Sequence, residues 1–136
     1  MSVRAAFVDQ LVDIAGPDVH VIGYETNRDE IDRITVMVKQ RTITRLPAAA
    51  NGALRIDYVL TITAPETDAE RAETRLDDFV PAFLADLSPY AWIAWTAANK
   101  KIDGNNLCYD VDVYVLGTPA GDSQTNADAS ALPEGK

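Results

Sequence analysis

Residues 34–63, ITVMVKQRTITRLPAAANGALRIDYVLTIT, decide the fold. Ile34, Val36 and Val38 alternate with Thr35, Met37 and Lys39, the period of two that belongs to a strand with one buried face. The apolar side of that alternation stops at Gln40, Thr42 and Thr44, although β-branched residues persist. PAAANG (47–52) supplies a turn. On the return, Leu54, Ile56, Tyr58, Leu60 and Ile62 face away from Arg55, Asp57, Val59, Thr61 and Thr63. The pattern predicts a hairpin whose outgoing arm is polar where its partner stays amphipathic.

The same stretch is basic. Residues 33–55 carry five Arg or Lys and no Asp or Glu, whereas the whole chain of 136 residues has a formal net charge of −9, which leaves −14 for the remainder. Positive charge on an exposed edge strand guards against sheet-to-sheet aggregation. That accounts for the charge but not for the length. Ile34 to Leu46 spans roughly 40 Å when extended, against a diameter on the order of 35 Å for a compact domain of this size. The arm is therefore expected to overhang its own core. Apolar Leu46, Leu54 and Ile56 beside Lys39, Arg41, Arg45 and Arg55 suit a subunit contact in which cations meet an acidic neighbour. The acidic remainder of an identical chain is such a neighbour, and a head-to-tail contact of this kind closes into a ring when its rotation permits.

Around the hairpin the signals are mostly local. Ser2 is placed to cap a helix with the stripe Val3, Phe7, Leu11, Ile14 and Ala15, stopped by Gly16-Pro17. VHVIGY (19–24) is a short β-prone run, and ETNRDEID (25–32) is a charged loop. Thr67 and Glu70 fit a capping box that opens a second helix with the stripe Ala72, Leu76, Phe79, Val80, Phe83, Leu84 and Leu87. Pro81 inside that stripe predicts a kink or break near residue 80. SPYAWIAW (88–95) reads as a turn and a short buried element. A second hairpin follows, turning at Asp103-Gly104-Asn105, with Leu107, Tyr109, Val111, Val113 and Val115 alternating behind it. After Gly117 the composition is that of a disordered tail, 118–136. The result is one α+β domain, residues 1–117, mostly antiparallel in its strands, with a long protruding hairpin.

With 47% hydrophobic and 24% charged residues, the chain has enough apolar material for one core. A single cysteine, Cys108, excludes an intramolecular disulfide. The N-terminus lacks the apolar run of a signal peptide, and no window reaches the roughly 18 apolar residues of a membrane span. Net negative charge argues against gripping nucleic-acid phosphates.

Catalytic signatures are missing. The one histidine, His20, lies between Val19 and Val21 in a predicted strand, where a bystander role fits better than that of a base. Cys108 reads as a buried, inert thiol. Asp110 and Asp112 share a strand face, and Asp29, Glu30 and Asp32 share a loop, but the loop lacks the glycine and closing glutamate of an EF-hand. Solvated acidic faces are the better reading. Tyr90, Trp92 and Trp95 form either core or the wall of a ligand pocket. No glycine-rich phosphate loop is present, and neither cofactor nor metal is expected.

The order of elements resembles one family. An N-terminal helix, a strand and charged loop, the hairpin ITVMVKQRTITRL…LRIDYVLTITAP, the proline-bearing helix ERAETRLDDFVPAFLADL and the closing strand YDVDVYVLG are similar to the tail terminator proteins of long-tailed bacteriophages. The resemblance covers residues 1–117. It implies helices packed on one face of a mixed sheet, no enzymatic activity, and a hexameric ring in the virion, assembled in the host cytoplasm. Such a ring caps the tail tube, ends its polymerisation and presents a surface to the head–tail connector protein. The partners implied are identical copies, the major tail tube protein and the connector, with genomic DNA passing through the lumen without specific binding. Lys39, Arg41, Arg45, Leu46, Leu54 and Arg55 are then expected at a ring or tube interface. A head-closure or adaptor ring of the neck, or a small ligand-binding α+β domain, are the alternatives.

Overall fold

The computed structural model describes residues 2–26, 31–46 and 52–117. Helix α1 covers Val3–Ala15, strand β1 His20–Ile22, β2 Thr35–Arg45, β3 Leu54–Thr63, helix α2 Ala69–Leu87, β4 Ile93–Asp103 and β5 Asn106–Gly117. The strands make one sheet in the order β1-β2-β3-β5-β4. Its β1–β2 pair is parallel and the other three pairs are antiparallel. The α+β class and the mixed, mostly antiparallel sheet are as the sequence implies.

Register fixes which side chains meet. Val36, Ile62 and Tyr109 lie in one cross-strand row, Val38, Leu60 and Val111 in the next, and Ile56 and Val115 further along. These side chains share one face, where Phe7 and Leu11 of α1 and Leu76, Val80, Phe83, Leu84 and Leu87 of α2 close over them. Burying each large aliphatic or aromatic side chain contributes about 1.5–3 kcal/mol, so one apolar face covered by two helices suffices for a stable layer pair. Phe7 is the centre of the α1 contact, its ring 4.8 Å from that of Tyr58 and 6.4 Å from that of Trp92.

The helix starts and stops have local causes. Ser2 Oγ accepts from Ala5 N at 3.1 Å, and Gly16 ends α1 at φ 87, a left-handed value that costs glycine little. Helix α2 differs from expectation at both marked points. Its cap is Asp68, which accepts from Arg71 N at 3.1 Å, rather than Thr67. A carboxylate at the helix start also gains from the macrodipole, which favours Asp68 over the adjacent threonine. Pro81 does not break the helix, which is assigned without interruption from Ala69 to Leu87. Buried Val80, Phe83 and Leu84 anchor the turns on both sides of the proline, while Pro81 itself is exposed. The helix carbonyl that loses its donor belongs to Asp77, also at an exposed position, so its loss costs less than it would in the buried interior.

SPYAWIAW does not end in a short element. Ile93 begins an eleven-residue strand, β4, which pairs with β5 down to Asp103↔Asn106, with Gly104 at φ 64 in the turn. Residues 47–51 of the first hairpin's turn, the loop residues Asp29 and Glu30, and the tail 118–136 lie outside the described residues.

Tyr58 carries a local cost. Its hydroxyl is buried with no hydrogen-bond partner among the described residues, and burial pushes its pKa from 10.0 up to about 12. The folded pKa is raised, so the stability linked to the neutral phenol is complete below pH 10 and is lost as pH climbs to about 12. At about 1.4 kcal/mol per unit the loss is no more than about 3 kcal/mol. Tyr58→Phe is expected to stabilise the domain by about 1 kcal/mol at neutral pH, by removing an unpaired polar group. It should also flatten the alkaline fall in unfolding free energy measured by urea titration between pH 9 and 12; an unchanged slope would assign that fall to other groups.

Candidate assembly interface

The basic arm is an exposed sheet edge. β1 covers β2 only from Thr35 to Met37, whereas β2 runs on to Arg45 and changes from buried to exposed after Val38. Its inner flank is different: β3 is paired with β2 on one side and with β5 on the other all the way to Leu54↔Gly117. The expected overhang beyond the core is therefore not seen among the described residues, since β5 accompanies β3 to its end; what lacks a neighbouring strand there is the outer flank of β2 after Met37. Arg41 forms a bulge there, the extra residue between Gln40 and Thr42. A bulge and cations on an edge strand both oppose the addition of a further strand.

The expected interface residues fall into separate environments. Arg41 Nη1 donates to Glu25 Oε1 at 2.9 Å and Nη2 to Oε2 at 3.4 Å. This bond lowers the Glu25 pKa and raises that of Arg41. Glu25 lies sixteen residues upstream in the charged loop, and no spacing in the sequence announces the pair. Arg55 Nε donates to Asp57 Oδ1 at 3.1 Å, and its guanidinium carbon stands 4.1 Å from the centroid of the Tyr114 ring. Asp57 and Tyr114 are cross-strand partners, so Arg55 lies along one face of β3 over both. Leu54 packs against this chain's own core, and half-buried Leu46 donates its backbone N–H to Ala53 O at 3.0 Å. Lys39 is half-buried and stands in the field of Glu25 and Asp110. Arg45 is exposed and has no ion pair among the described residues.

Asp110, read from the sequence as part of an acidic face, is the centre of a hydrogen-bonded group. It accepts from Thr61 Oγ1 at 2.7 Å and pairs with Lys101 Nζ at 2.9 Å. Burial works to raise its pKa, but the bonds from Lys101 and Thr61 and the charges of Lys101 and Lys39 together lower it. Both carboxylate oxygens are occupied, which fits a structural role. Asp112 is exposed on the same face. Among the described residues no group of three or more His, Cys, Asp or Glu is arranged to hold a metal. His20 is exposed at the start of β1, and Cys108 is fully buried.

Two features escape a pattern reading. Ile43, the one large apolar residue within KQRTITR, is 55% exposed. At the opposite edge of the sheet, α2 and β4 enclose a groove of about 500 Å³ lined by Leu76, Val80, Leu84, Trp95 and Tyr109, with Asp77 at its rim. Trp95 is 41% exposed there, whereas Trp92 and Tyr90 pack against the core. The aromatic cluster is therefore divided between core and groove wall. The alternation alone does not mark Ile43, because the bulge at Arg41 changes which residues share the helix-bearing face, and the groove exists only once β4 is placed beside α2.

No helix among the described residues is long and apolar enough to cross a membrane. The chain matches no protein-family model and no curated protein.

Proposed function

We propose that this chain is a ring-forming structural protein of the tail-terminator kind, which caps a phage tail tube, ends its polymerisation and offers the free face of its ring to the head–tail connector. The observation that supports it most is the β2 flank: an exposed, cationic, bulged edge from Lys39 to Arg45 in a chain whose other residues are strongly acidic. Identical copies joined edge to acidic flank make a heterologous contact, which rotation closes into a ring. Such a ring needs no catalytic group. Its function is to satisfy the growing end of the tube on one face and to mismatch an incoming tube subunit on the other. A ring of net negative chains repels DNA phosphates in transit rather than holding them, provided that acidic side chains line the lumen.

Imaging of particles assembled without the protein tests the reading. Tubes of uncontrolled length that lack heads are expected. Tails of normal length beneath leaking heads would assign the chain to head closure or adaptor function instead, and normal intact particles would overturn both. The groove at Trp95 favours a second reading, a small ligand-binding domain. Under that reading the chain stays monomeric at every stage of assembly, and a small apolar molecule shifts the Trp95 fluorescence.

A further inference from the structure

We infer that the groove between α2 and β4 receives the β2 edge of a neighbouring copy, with Ile43 seated on its apolar floor and Arg45 meeting Asp77. The inference rests on the ring reading only in taking identical copies as partners.

The placement follows from register. Ile43 is opposite Ile56 and Arg45 is opposite Leu54, and Ile56 is buried in the core beneath the helices. Ile43 and Arg45 therefore project from the helix-bearing face, two residues apart on one strand, at a flank the helices do not cover. The groove opens on that same face, since Trp95 and Ala98 pair with the core residues Val113 and Val111. It lies at the far edge, with β3 and β5 in between. A copy cannot fill its own groove with its own β2, so the contact joins two different patches and repeats head to tail.

Charge selects this occupant over others. Asp77 lines the groove, and Asp78 and Asp86 are exposed on the same helix, none of them in an ion pair among the described residues. The nearby cation Lys100 is held by Glu73. The edge brings Arg45, which has no ion pair among the described residues, beside Arg41, which Glu25 holds, and the segment between Arg33 and Asp57 carries no acid. Pairing two β2 edges would set these cations against one another, and the bulge at Arg41 disfavours strand addition. Side-chain docking into an acid-rimmed apolar groove is the arrangement left, an aliphatic anchor with a charged neighbour.

Two complementary variants isolate the contact. One, isotope-labelled, carries Ile43→Asp and Arg45→Glu and keeps its groove; the other, unlabelled, carries Asp77→Lys and keeps its edge. Unlabelled wild-type chain is expected to bind the labelled one, its edge moving the Trp95 indole and α2 amide signals saturably. The Asp77→Lys chain, whose edge is intact, should move them equally. Neither variant should show concentration-dependent shifts alone. Ile43→Ala in the added chain should weaken the effect about tenfold, a loss of about 1.4 kcal/mol. A chain with Arg45→Glu should bind again to a labelled groove carrying Asp77→Lys. All these positions are exposed or lie on an open rim, and retained amide dispersion verifies folding of each variant. Absence of Trp95 shifts with either added chain, or equal shifts from an added chain lacking its edge, would overturn the inference. Rings formed by the wild-type chain despite that result would place the ring contact elsewhere and leave the terminator reading intact. Normal tails in particles without the protein, beside a positive titration, would keep the contact and remove the reading.

Discussion

Phe7→Ala is expected to cost about 3–5 kcal/mol of unfolding free energy, the range for removing a fully buried aromatic ring. Phe7 is 0% exposed and is the side chain of α1 that reaches both Tyr58 and Trp92. Its loss leaves a cavity under a helix that has only Leu11 as a second fully buried anchor, so collapse around the gap is restricted. Against a total of about 5–15 kcal/mol for a domain, this is about a fifth of the stability or more. Urea unfolding followed by circular dichroism measures it, with Val12→Ala, at an exposed site on the same helix, as a control expected within about 0.5 kcal/mol. A loss below about 1 kcal/mol for Phe7→Ala would mean that α1 is not docked on the sheet.

What the sequence disclosed follows the range of the forces involved. Ser2, Gly16 and Gly104 act on residues within one turn, and the elements they delimit were readable from neighbours alone. The apolar face of β3 was readable because every second residue from Leu54 to Ile62 meets the same core. Pro81 misled because its local cost is outweighed by packing that comes from the sheet below α2. β4 was hidden by the irregularity between Trp95 and Ala97, which shifts the alternation midway and erases the period of two. The candidate interface was legible in composition but not in partnership. Arg41 and Arg55 look alike in the sequence, yet Arg41 is drawn to Glu25 and Arg55 lies over Tyr114, neighbours from distant segments, and only Asp57, two residues along the same strand face, stands close to Arg55 in the sequence. Ile43 is exposed because, among the described residues, strand order leaves no strand beside the end of β2.

Reversing Arg41 and Arg45 together to glutamate is expected to leave the domain folded and to stop assembly. Arg45 has no ion pair to lose among the described residues. Arg41→Glu breaks an exposed pair and sets a like charge beside Glu25, and exposed pairs are worth about 0–1 kcal/mol. The unfolding free energy should therefore change by about 1 kcal/mol or less. The effect on association is larger because the same reversal acts at every junction of a closed ring: two repulsive junctions per copy replace two attractive ones, and like-charge juxtaposition at an interface costs several kcal/mol. Particles carrying the double variant should resemble particles without the protein, and the single variant Arg45→Glu should show most of the defect, since Arg41 is already held by Glu25. Normal particles from the double variant would mean that the cationic edge guards against aggregation and does nothing more, while an unfolded variant would mean that the edge is part of the domain's interior.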